Sequence, residues 1–227
     1  GRGAQAGLDA LPGGGAEVFS TAVRATIAER KLTGEEWLQV HRTAHELDIR
    51  TNCTLLYGHV ETAADRVDHL SALRALQDDT GGFLTYIPLA YHPDHNELGE
   101  TLGRVGSATT GYEDLKNIAV GRLFLDNIDH VKTHWPMVTP FMSQVALNFG
   151  CDDVEGTVVF ERVYHEAGAT TDMHMPYSGL VELIRRAGKR PVERDSLYQP
   201  LRDQFDDLPG LEAAFAAGAS VPAVHAA

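Results

Sequence analysis

The chain contains few cysteines and few basic residues, and these shortages exclude several classes of protein. Only two cysteines occur among the 227 residues, Cys53 and Cys151, which is a weak disulfide signal and is typical of a reduced, cytosolic protein. Lys and Arg number 19 against 32 Asp and Glu, and the net charge of −13 disfavours nucleic acid or an anionic membrane as a partner. No apolar run approaches the ~18–20 residues of a membrane span. We therefore expect a cytoplasmic protein that acts on small molecules.

Short apolar runs alternate with segments of helical periodicity about five times along the chain. This alternation is typical of βαβ units and a parallel sheet. We predict an α/β fold, a partial (β/α) barrel of about five units, over residues 1–200. An acidic and then Ala-rich tail, poorly ordered, is predicted over residues 201–227. The predicted strands are 8–11, 50–57, 83–92, 131–138 and 150–160.

Helix starts are the most specific local signals in the sequence. A Thr followed three residues later by Glu forms a capping box at Thr33–Glu36 and again at Thr110–Glu113. Between them, residues 93–109 are predicted to form a long polar loop, and loops of that length are often functional.

Glycines and polar residues gather where the predicted strands end. Barrel enzymes build their sites from these carboxyl ends. Each feature also has a structural interpretation, because triple glycine makes turns, Glu61 could cap the next helix, and Trp135 could be packing inside strand 131–138. The candidates are Gly13, Gly14, Gly15, Glu17, Tyr57, Gly58, His59, Glu61, His92, His134 and Trp135.

Several motifs, in order, resemble one enzyme family over about residues 4–200. They include Leu11-Pro-Gly-Gly-Gly-Ala-Glu17, Trp37-Leu-Gln-Val-His41, Leu56-Tyr-Gly-His-Val-Glu61, Ile87-Pro-Leu-Ala-Tyr-His-Pro93 and Pro191-Val-Glu-Arg194. Together they resemble the carboxyl-terminal part of the aminofutalosine synthases, which are radical S-adenosylmethionine (SAM) enzymes of the futalosine route to menaquinone. The cyclic dehypoxanthinylfutalosine synthases and the deazaflavin-forming radical enzymes share much of this pattern.

The resemblance implies a reaction, its cofactors and its site residues. SAM, a [4Fe-4S] cluster and an external electron donor would convert 3-[(1-carboxyvinyl)oxy]benzoate to 6-amino-6-deoxyfutalosine, bicarbonate and methionine. By the family pattern, Gly58 and Glu61 lie beside the adenine of SAM. Gly13, Gly14, Gly15 and Glu17 contact its ribose or amino-acid part. The strand-end residues Tyr57, His59, His92, His134 and Trp135 are hypotheses for the substrate-facing wall.

The sequence departs from the family pattern at the motif that binds the cluster. The Cys-x-x-x-Cys-x-x-Cys motif that binds the cluster is absent, so we expect a fragment of a longer protein that is inactive alone. One alternative is a barrel enzyme of another class with His59, His92 and His134 around a divalent metal. Another alternative is an inactive, truncated product.

Overall fold

The computed structural model describes residues 7–104, 108–158, 163–166, 171 and 174–205. It shows an α/β fold with a parallel five-stranded sheet, which is consistent with a partial β/α barrel. The strands are β1 (Ala10–Leu11), β2 (Arg50–Tyr57), β3 (Phe83–Ala90), β4 (His130–Thr133), β5 (Asp153–Val154), β6 (Glu193–Arg194) and β7 (Pro200–Arg202). The helices are α1 (Thr21–Ile27), α2 (Gly34–His45), α3 (Ala63–Thr80), α4 (Glu97–Leu102), α5 (Gly111–Phe124), α6 (Trp135–Val138), α7 (Pro140–Ala146), α8 (Val163–Glu166) and α9 (Tyr177–Arg186).

The order in the sheet is β1-β2-β3-β4-β5, so each strand lies beside its neighbour in sequence. Every pair is parallel, and helices provide the crossovers. The carboxyl ends of the five strands therefore meet at one edge of the sheet, as the sequence predicted. That edge carries the candidate site residues.

The sheet has one face packed against helices and one inner face. Side chains alternate along a strand. Tyr86 of β3 is fully buried against α5, where a Cβ on Gly121 would lie 2.4 Å from its ring. Leu73 of α3 and Ile118 of α5 complete this apolar layer. The inner face includes the side chain of Lys132 of β4, which pairs in register with Asp153 of β5.

Capping boxes start the three principal helices of the outer layer. Thr33, Thr62 and Thr110 each accept a hydrogen bond from the N3 backbone N–H of the following helix. The N3 carboxylates of Glu36, Asp65 and Glu113 accept from the N-cap N–H in return. The positions of α2, α3 and α5 are thus fixed by local chemistry that the sequence displays.

Two local predictions were wrong. The expected strand 131–138 stops at Thr133, because Pro136 cannot donate to a ladder but fits the first turn of a helix, so Trp135 begins α6 instead. The expected loop 93–109 contains α4, whose N-terminus is capped by the Asn96 side chain accepting from the Gly99 N–H at 3.0 Å.

The antiparallel hairpin formed by β6 and β7 was not predicted from the sequence. Its second strand crosses the predicted tail boundary at residue 200, and Phe205 is buried. Strand β5 is also shorter than predicted. Residues 159–160 of the expected strand and residues 206–227 of the expected tail lie outside the described residues. Among the helices that the structure describes, none is both long and apolar enough to cross a membrane.

Candidate active site

The turn after β2 is closed by its own carboxylate. Gly58 has φ +93°, and a Cβ there would lie 2.4 Å from Thr109 Cγ2, so only glycine fits. The Gly58 N–H donates to Glu61 Oε1 at 2.6 Å, and the His59 N–H donates to Glu61 Oε2 at 2.9 Å. Both carboxylate oxygens of Glu61 therefore accept hydrogen bonds from the turn that precedes this residue.

Arg66 of α3 neutralises this carboxylate. Its Nε donates to Glu61 Oε1 at 2.8 Å and its Nη2 lies 2.5 Å from the same oxygen, while the Glu61 side chain has no exposed surface. A third nitrogen donates to Asn117 Oδ1 at 2.9 Å, which ties the guanidinium to α5. A carboxylate out of water needs such a charged and hydrogen-bonded partner. Glu61 thus shapes the turn, and its contact with SAM stays a prediction.

His59 is neutral in this turn. The Val60 N–H donates to His59 Nδ1 at 2.8 Å, so the proton is on Nε2, which donates to the Leu56 carbonyl at 3.0 Å. Glu61 Oε2 lies 3.0 Å from Nδ1, a geometry that would be an ion pair only with protonated His59. Burial lowers the pKa of His59 more than Glu61 raises it, and Arg66 already balances the carboxylate.

A residue that the sequence did not single out holds the turn from its other side. Arg104, just after α4, donates through Nη1 to the Gly58 carbonyl at 2.7 Å and the His59 carbonyl at 2.9 Å. Glu61 accepts hydrogen bonds from the N–H groups of this turn, and Arg104 donates hydrogen bonds to the carbonyl groups of the same turn. The segment between β3 and α5 is thereby anchored on the turn after β2, a long-range contact with no local sequence signal.

The triple-glycine turn is held by its carbonyl groups. The Gly13 carbonyl accepts from the Thr54 hydroxyl at 2.7 Å, and the Gly14 carbonyl accepts from Trp37 Nε1 at 3.1 Å. A trans peptide sends its C=O and the next N–H in opposite directions, so the Gly14 and Gly15 N–H groups face away from these partners. A Cβ on Gly13 would lie 2.4 Å from the Asn52 carbonyl, which explains the glycine there.

The two segments predicted to bind SAM lie side by side. The Glu17 carbonyl accepts from the Leu56 N–H at 3.0 Å, one residue before Tyr57 and the Gly58 turn. Glu17 itself has φ +44°, and its carboxylate contacts Lys31. Gly13 to Glu17 and Gly58 to Glu61 therefore meet at the carboxyl edge of the sheet.

Tyr57 lies between the sheet and the helices rather than on the inner face. Its hydroxyl donates to Asp114 Oδ1 at 2.9 Å, and the Arg66 guanidinium lies 5.7 Å from its ring centre. Burial, followed by the charge of Asp114, raises the pKa of Tyr57 well above its usual value. The structure gives Tyr57 a bracing position, and its contact with a substrate stays a prediction.

The other three predicted wall residues lie at the ends of β3 and β4. His92 Nε2 donates to the Met137 carbonyl at 3.0 Å, so His92 holds α6. His134 caps α6 and places Nδ1 3.1 Å from Glu155 Oε2. Trp135 is fully buried and donates to the Gly156 carbonyl at 3.1 Å. Their roles towards a ligand remain predictions.

A charged group lies deeper on the inner face, and the site predictions omitted its members. Lys132 Nζ is 3.4 Å from Glu155 Oε2 and 3.8 Å from Asp153 Oδ2. Asp153 in turn binds Arg194 of the hairpin, at 3.0 and 2.5 Å, and the Tyr198 hydroxyl at 2.7 Å. Strand alternation could have revealed Lys132, since it lies two residues before His134 and therefore on the same face.

A cavity of about 630 Å³ runs along β5 between this charged group and α9. Lys132, Asp153 and Glu155 line its inner side, and Leu180 and Val181 contribute apolar surface. None of the sequence-predicted site residues lines this cavity, although His134 contacts Glu155 at its wall.

The described residues contain no group of three His, Cys, Asp or Glu side chains arranged to hold a metal. The ring nitrogens of His59 bond to backbone groups, and His92 donates to a carbonyl, so the structure does not support the three-histidine metal alternative. Cys53 and Cys151 are both buried, and burial raises the pKa of both thiols. An iron–sulfur cluster needs several thiolates together, so these two cysteines do not fit one.

A family model described as the CofH/MqnC C-terminal region matches residues 80–206. The chain belongs to this family. The match covers β3 to β7 and therefore includes His92, His134 and the charged group around Lys132, while the glycine turns lie before it.

Curated relatives match the chain over a longer stretch than the family model does. The chain is 52% identical over 198 residues to an aminodeoxyfutalosine synthase of Thermus thermophilus, covering 87% of this chain and 53% of that protein. It is 45% identical over 204 residues to the Streptomyces coelicolor enzyme of the same name, with the same two coverages. A 5-amino-6-(D-ribitylamino)uracil–L-tyrosine 4-hydroxyphenyl transferase of Methanococcoides burtonii is 37% identical over 198 residues, 86% of this chain and 56% of that protein. The chain thus spans about half the length of these relatives.

Proposed function

We propose that the protein containing this chain is an aminodeoxyfutalosine synthase of the radical SAM kind, acting in the futalosine route to menaquinone. In this reaction SAM supplies the 5′-deoxyadenosyl group that joins 3-[(1-carboxyvinyl)oxy]benzoate, and the products are 6-amino-6-deoxyfutalosine, bicarbonate and methionine. The observation that carries the proposal is the 52% identity to the Thermus thermophilus synthase over 87% of the chain.

The chain's own part in this proposal is to bind SAM and the aromatic substrate. The clamped turn of Gly58 to Glu61 presents a fixed backbone to the adenine, and the outward N–H groups of Gly14 and Gly15 donate to the ribose or amino-acid part. Rigid placement of two reactants in contact is a large part of catalysis in such sites. The [4Fe-4S] cluster and its external electron donor must engage residues other than Cys53 and Cys151.

A substrate panel tests the proposal. The protein translated from the reading frame that contains this chain would be purified without oxygen and supplied with SAM and dithionite as electron donor. We expect 6-amino-6-deoxyfutalosine with 3-[(1-carboxyvinyl)oxy]benzoate. No product should form from tyrosine and 5-amino-6-(D-ribitylamino)uracil.

A second candidate function is the 4-hydroxyphenyl transferase reaction, because the archaeal relative of that name is 37% identical over 86% of this chain. Product formation only from tyrosine and 5-amino-6-(D-ribitylamino)uracil would replace the first proposal by this one. Purified protein with tightly bound zinc and no iron would contradict both.

A further inference from the structure

The Lys132 ammonium is buried with unused hydrogen-bonding capacity. Only 8% of the residue surface is exposed, and Nζ makes one long hydrogen bond, of 3.4 Å, to Glu155 Oε2. Its other close charge, Asp153 Oδ2, lies 3.8 Å away, beyond hydrogen-bond distance. An ammonium has three N–H donors, so two of them have no acceptor within the described part of the chain.

The two carboxylates beside Lys132 are already engaged by other groups. Asp153 accepts two bonds from Arg194 and one from the Tyr198 hydroxyl. Glu155 accepts from His134 Nδ1 at 3.1 Å and from the Gly156 N–H at 3.3 Å. Lys132 is thus held in place by neighbours that do not depend on it for their own hydrogen bonds.

The position of Lys132 places it in the wall of the cavity described above. Lys132 lines the cavity along β5, whose wall also includes the apolar side chains of Leu180 and Val181. The wall also carries charges of both signs, with Arg194, Asp153 and Glu155 beside Lys132. An organic acid would place its acid group on the Lys132 ammonium and its body against the apolar part of the wall. A carboxylate bound to an ammonium forms a charge-assisted bond, which is stronger than a neutral one.

We propose that Lys132 is the carboxylate-binding residue for an aromatic acid that enters this cavity. This inference rests on the proposed function for the identity of the acid, since 3-[(1-carboxyvinyl)oxy]benzoate carries a benzoate group and an enolpyruvyl carboxylate. Lys132 pairs with one of these groups and orients the substrate from the inner face of β4, below His134. The alternative is that Lys132 serves only as an internal counter-ion for Glu155.

Calorimetric titration of the protein containing this chain with three probes tests this assignment. The probes are 3-[(1-carboxyvinyl)oxy]benzoate, 3-hydroxybenzoate and the neutral 3-hydroxybenzyl alcohol. We expect Lys132→Met to weaken binding of both acids by about 10- to 100-fold, the effect of one charged hydrogen bond. Binding of the alcohol should not change.

Matched variants distinguish the loss of the Lys132 charge from a general loss of structure. Lys132→Arg keeps the charge and should bind the acids within about threefold of the unmodified chain. Lys132→Met with Glu155→Gln keeps the charge balance, so it should fold and still lose affinity for the acids. Lys116→Met removes an exposed lysine of α5 and should change nothing.

The outcomes separate this inference from the proposed function. Lys132-dependent binding of 3-hydroxybenzoate without binding of the enolpyruvyl substrate would support the carboxylate site and contradict the proposed reaction. Equal affinities in the unmodified, Lys132→Met and double-variant chains would overturn the site and leave the proposed reaction standing. Absence of acid binding to the unmodified chain at millimolar concentration would also overturn the site.

Discussion

Arg66 Nε lies 2.8 Å from Glu61 Oε1, and this contact joins α3 to the turn that follows β2. The carboxylate is shielded from water, whereas the Arg66 side chain is one quarter exposed. The sequence predicts Glu61 as a ligand-binding residue. In the structure its carboxylate oxygens accept hydrogen bonds from Arg66 and from two backbone N–H groups. The pair therefore determines the shape of the turn proposed to hold the adenine.

Removal of Arg66 should destabilise the fold more than removal of an exposed charge. Arg66→Met leaves the Glu61 carboxylate buried without its cation, which costs about 2–4 kcal/mol after allowance for the partial exposure of Arg66. Urea unfolding would measure the loss, with Glu29→Gln, an exposed site on the loop after α1, as the control. Equal unfolding midpoints for Arg66→Met and the control would show that the Arg66–Glu61 pair does not contribute to the free energy of unfolding.

Gly58→Ala should be more costly than an alanine at another positive-φ glycine. At Gly58 the new Cβ meets Thr109 Cγ2 at 2.4 Å in addition to the backbone strain of φ +93°, about 1–3 kcal/mol. Gly81 has φ +61° and open space around its Cβ position, so Gly81→Ala isolates the backbone effect. Thermal unfolding would show whether Gly58→Ala has a lower melting temperature than Gly81→Ala.

A compensating change checks the steric part of this prediction. Thr109→Ser removes the clashing methyl group and keeps the hydroxyl that donates to Asp114 at 2.7 Å. The double variant Gly58→Ala with Thr109→Ser should recover part of the lost stability. If it is as unstable as Gly58→Ala alone, the clash is not the cause.

A chain of hydrogen bonds fixes the tautomers of the buried His41 and the partly buried His45. Thr80 donates to the Leu76 carbonyl at 2.7 Å, so it accepts from His45 Nδ1 at 2.7 Å. His45 Nε2 then accepts from Thr51 at 2.8 Å, and Thr51 accepts from His41 Nδ1 at 2.8 Å. Both rings carry a proton on Nδ1, and His45 is neutral because its Nε2 accepts. Protonation of His45 Nε2 would remove the acceptor that Thr51 uses.

Stability should therefore fall in mild acid. Burial first, then nearby positive charge, lowers the pKa of His41 and of His45 to about 4, against 6.5 in a model compound. Between pH 6.5 and 4 the unfolded chain binds more protons, so the free energy of unfolding decreases as the pH falls through that window. With the partly exposed His45 discounted, the shift of His41 sets an expected loss of roughly 3 kcal/mol.

Urea unfolding at a series of pH values measures this effect. His45→Gln should make the profile less steep between pH 6.5 and 4, with the remaining slope due to His41, whereas His95→Gln, at an exposed position, should leave it unchanged. A profile that is the same in all three proteins would mean that these buried histidines do not govern the acid response.

Trp135→Phe should reduce stability and leave substrate affinity nearly unchanged if the residue acts through packing. The change removes the donor to the Gly156 carbonyl, at a cost of about 1–3 kcal/mol for the buried group left unpaired. Chemical denaturation and the KM for 3-[(1-carboxyvinyl)oxy]benzoate would be measured together. A large rise in KM with unchanged stability would instead place Trp135 in the substrate wall.

Features that depend on near neighbours were predictable from the sequence. The capping boxes at Thr33 and Thr110, strand β2 and the alternation of strands and helices all follow from spacing within a few residues. Pro136 was visible too, but its effect on the end of β4 was underestimated. Local chemistry therefore predicted the sheet and the edge at which the site lies.

Features that depend on distant partners were not predictable. Arg104 contacts carbonyls 45 and 46 residues away in sequence, and Arg194 contacts Asp153 from 41 residues away. Nothing in the local pattern around either arginine indicates its partner. For the same reason the sequence did not indicate that Arg66 contacts Glu61 or that Asp114 contacts Tyr57.

Isotope tracing tests the central claim most directly. The protein containing this chain would be incubated with 3-[(1-carboxyvinyl)oxy]benzoate and SAM carrying ¹³C in every adenosyl carbon. The proposed function predicts an aminodeoxyfutalosine product that retains the whole labelled adenosyl group, with unlabelled methionine released. Labelled 5′-deoxyadenosine as the only labelled product, or no consumption of the benzoate substrate, would contradict it.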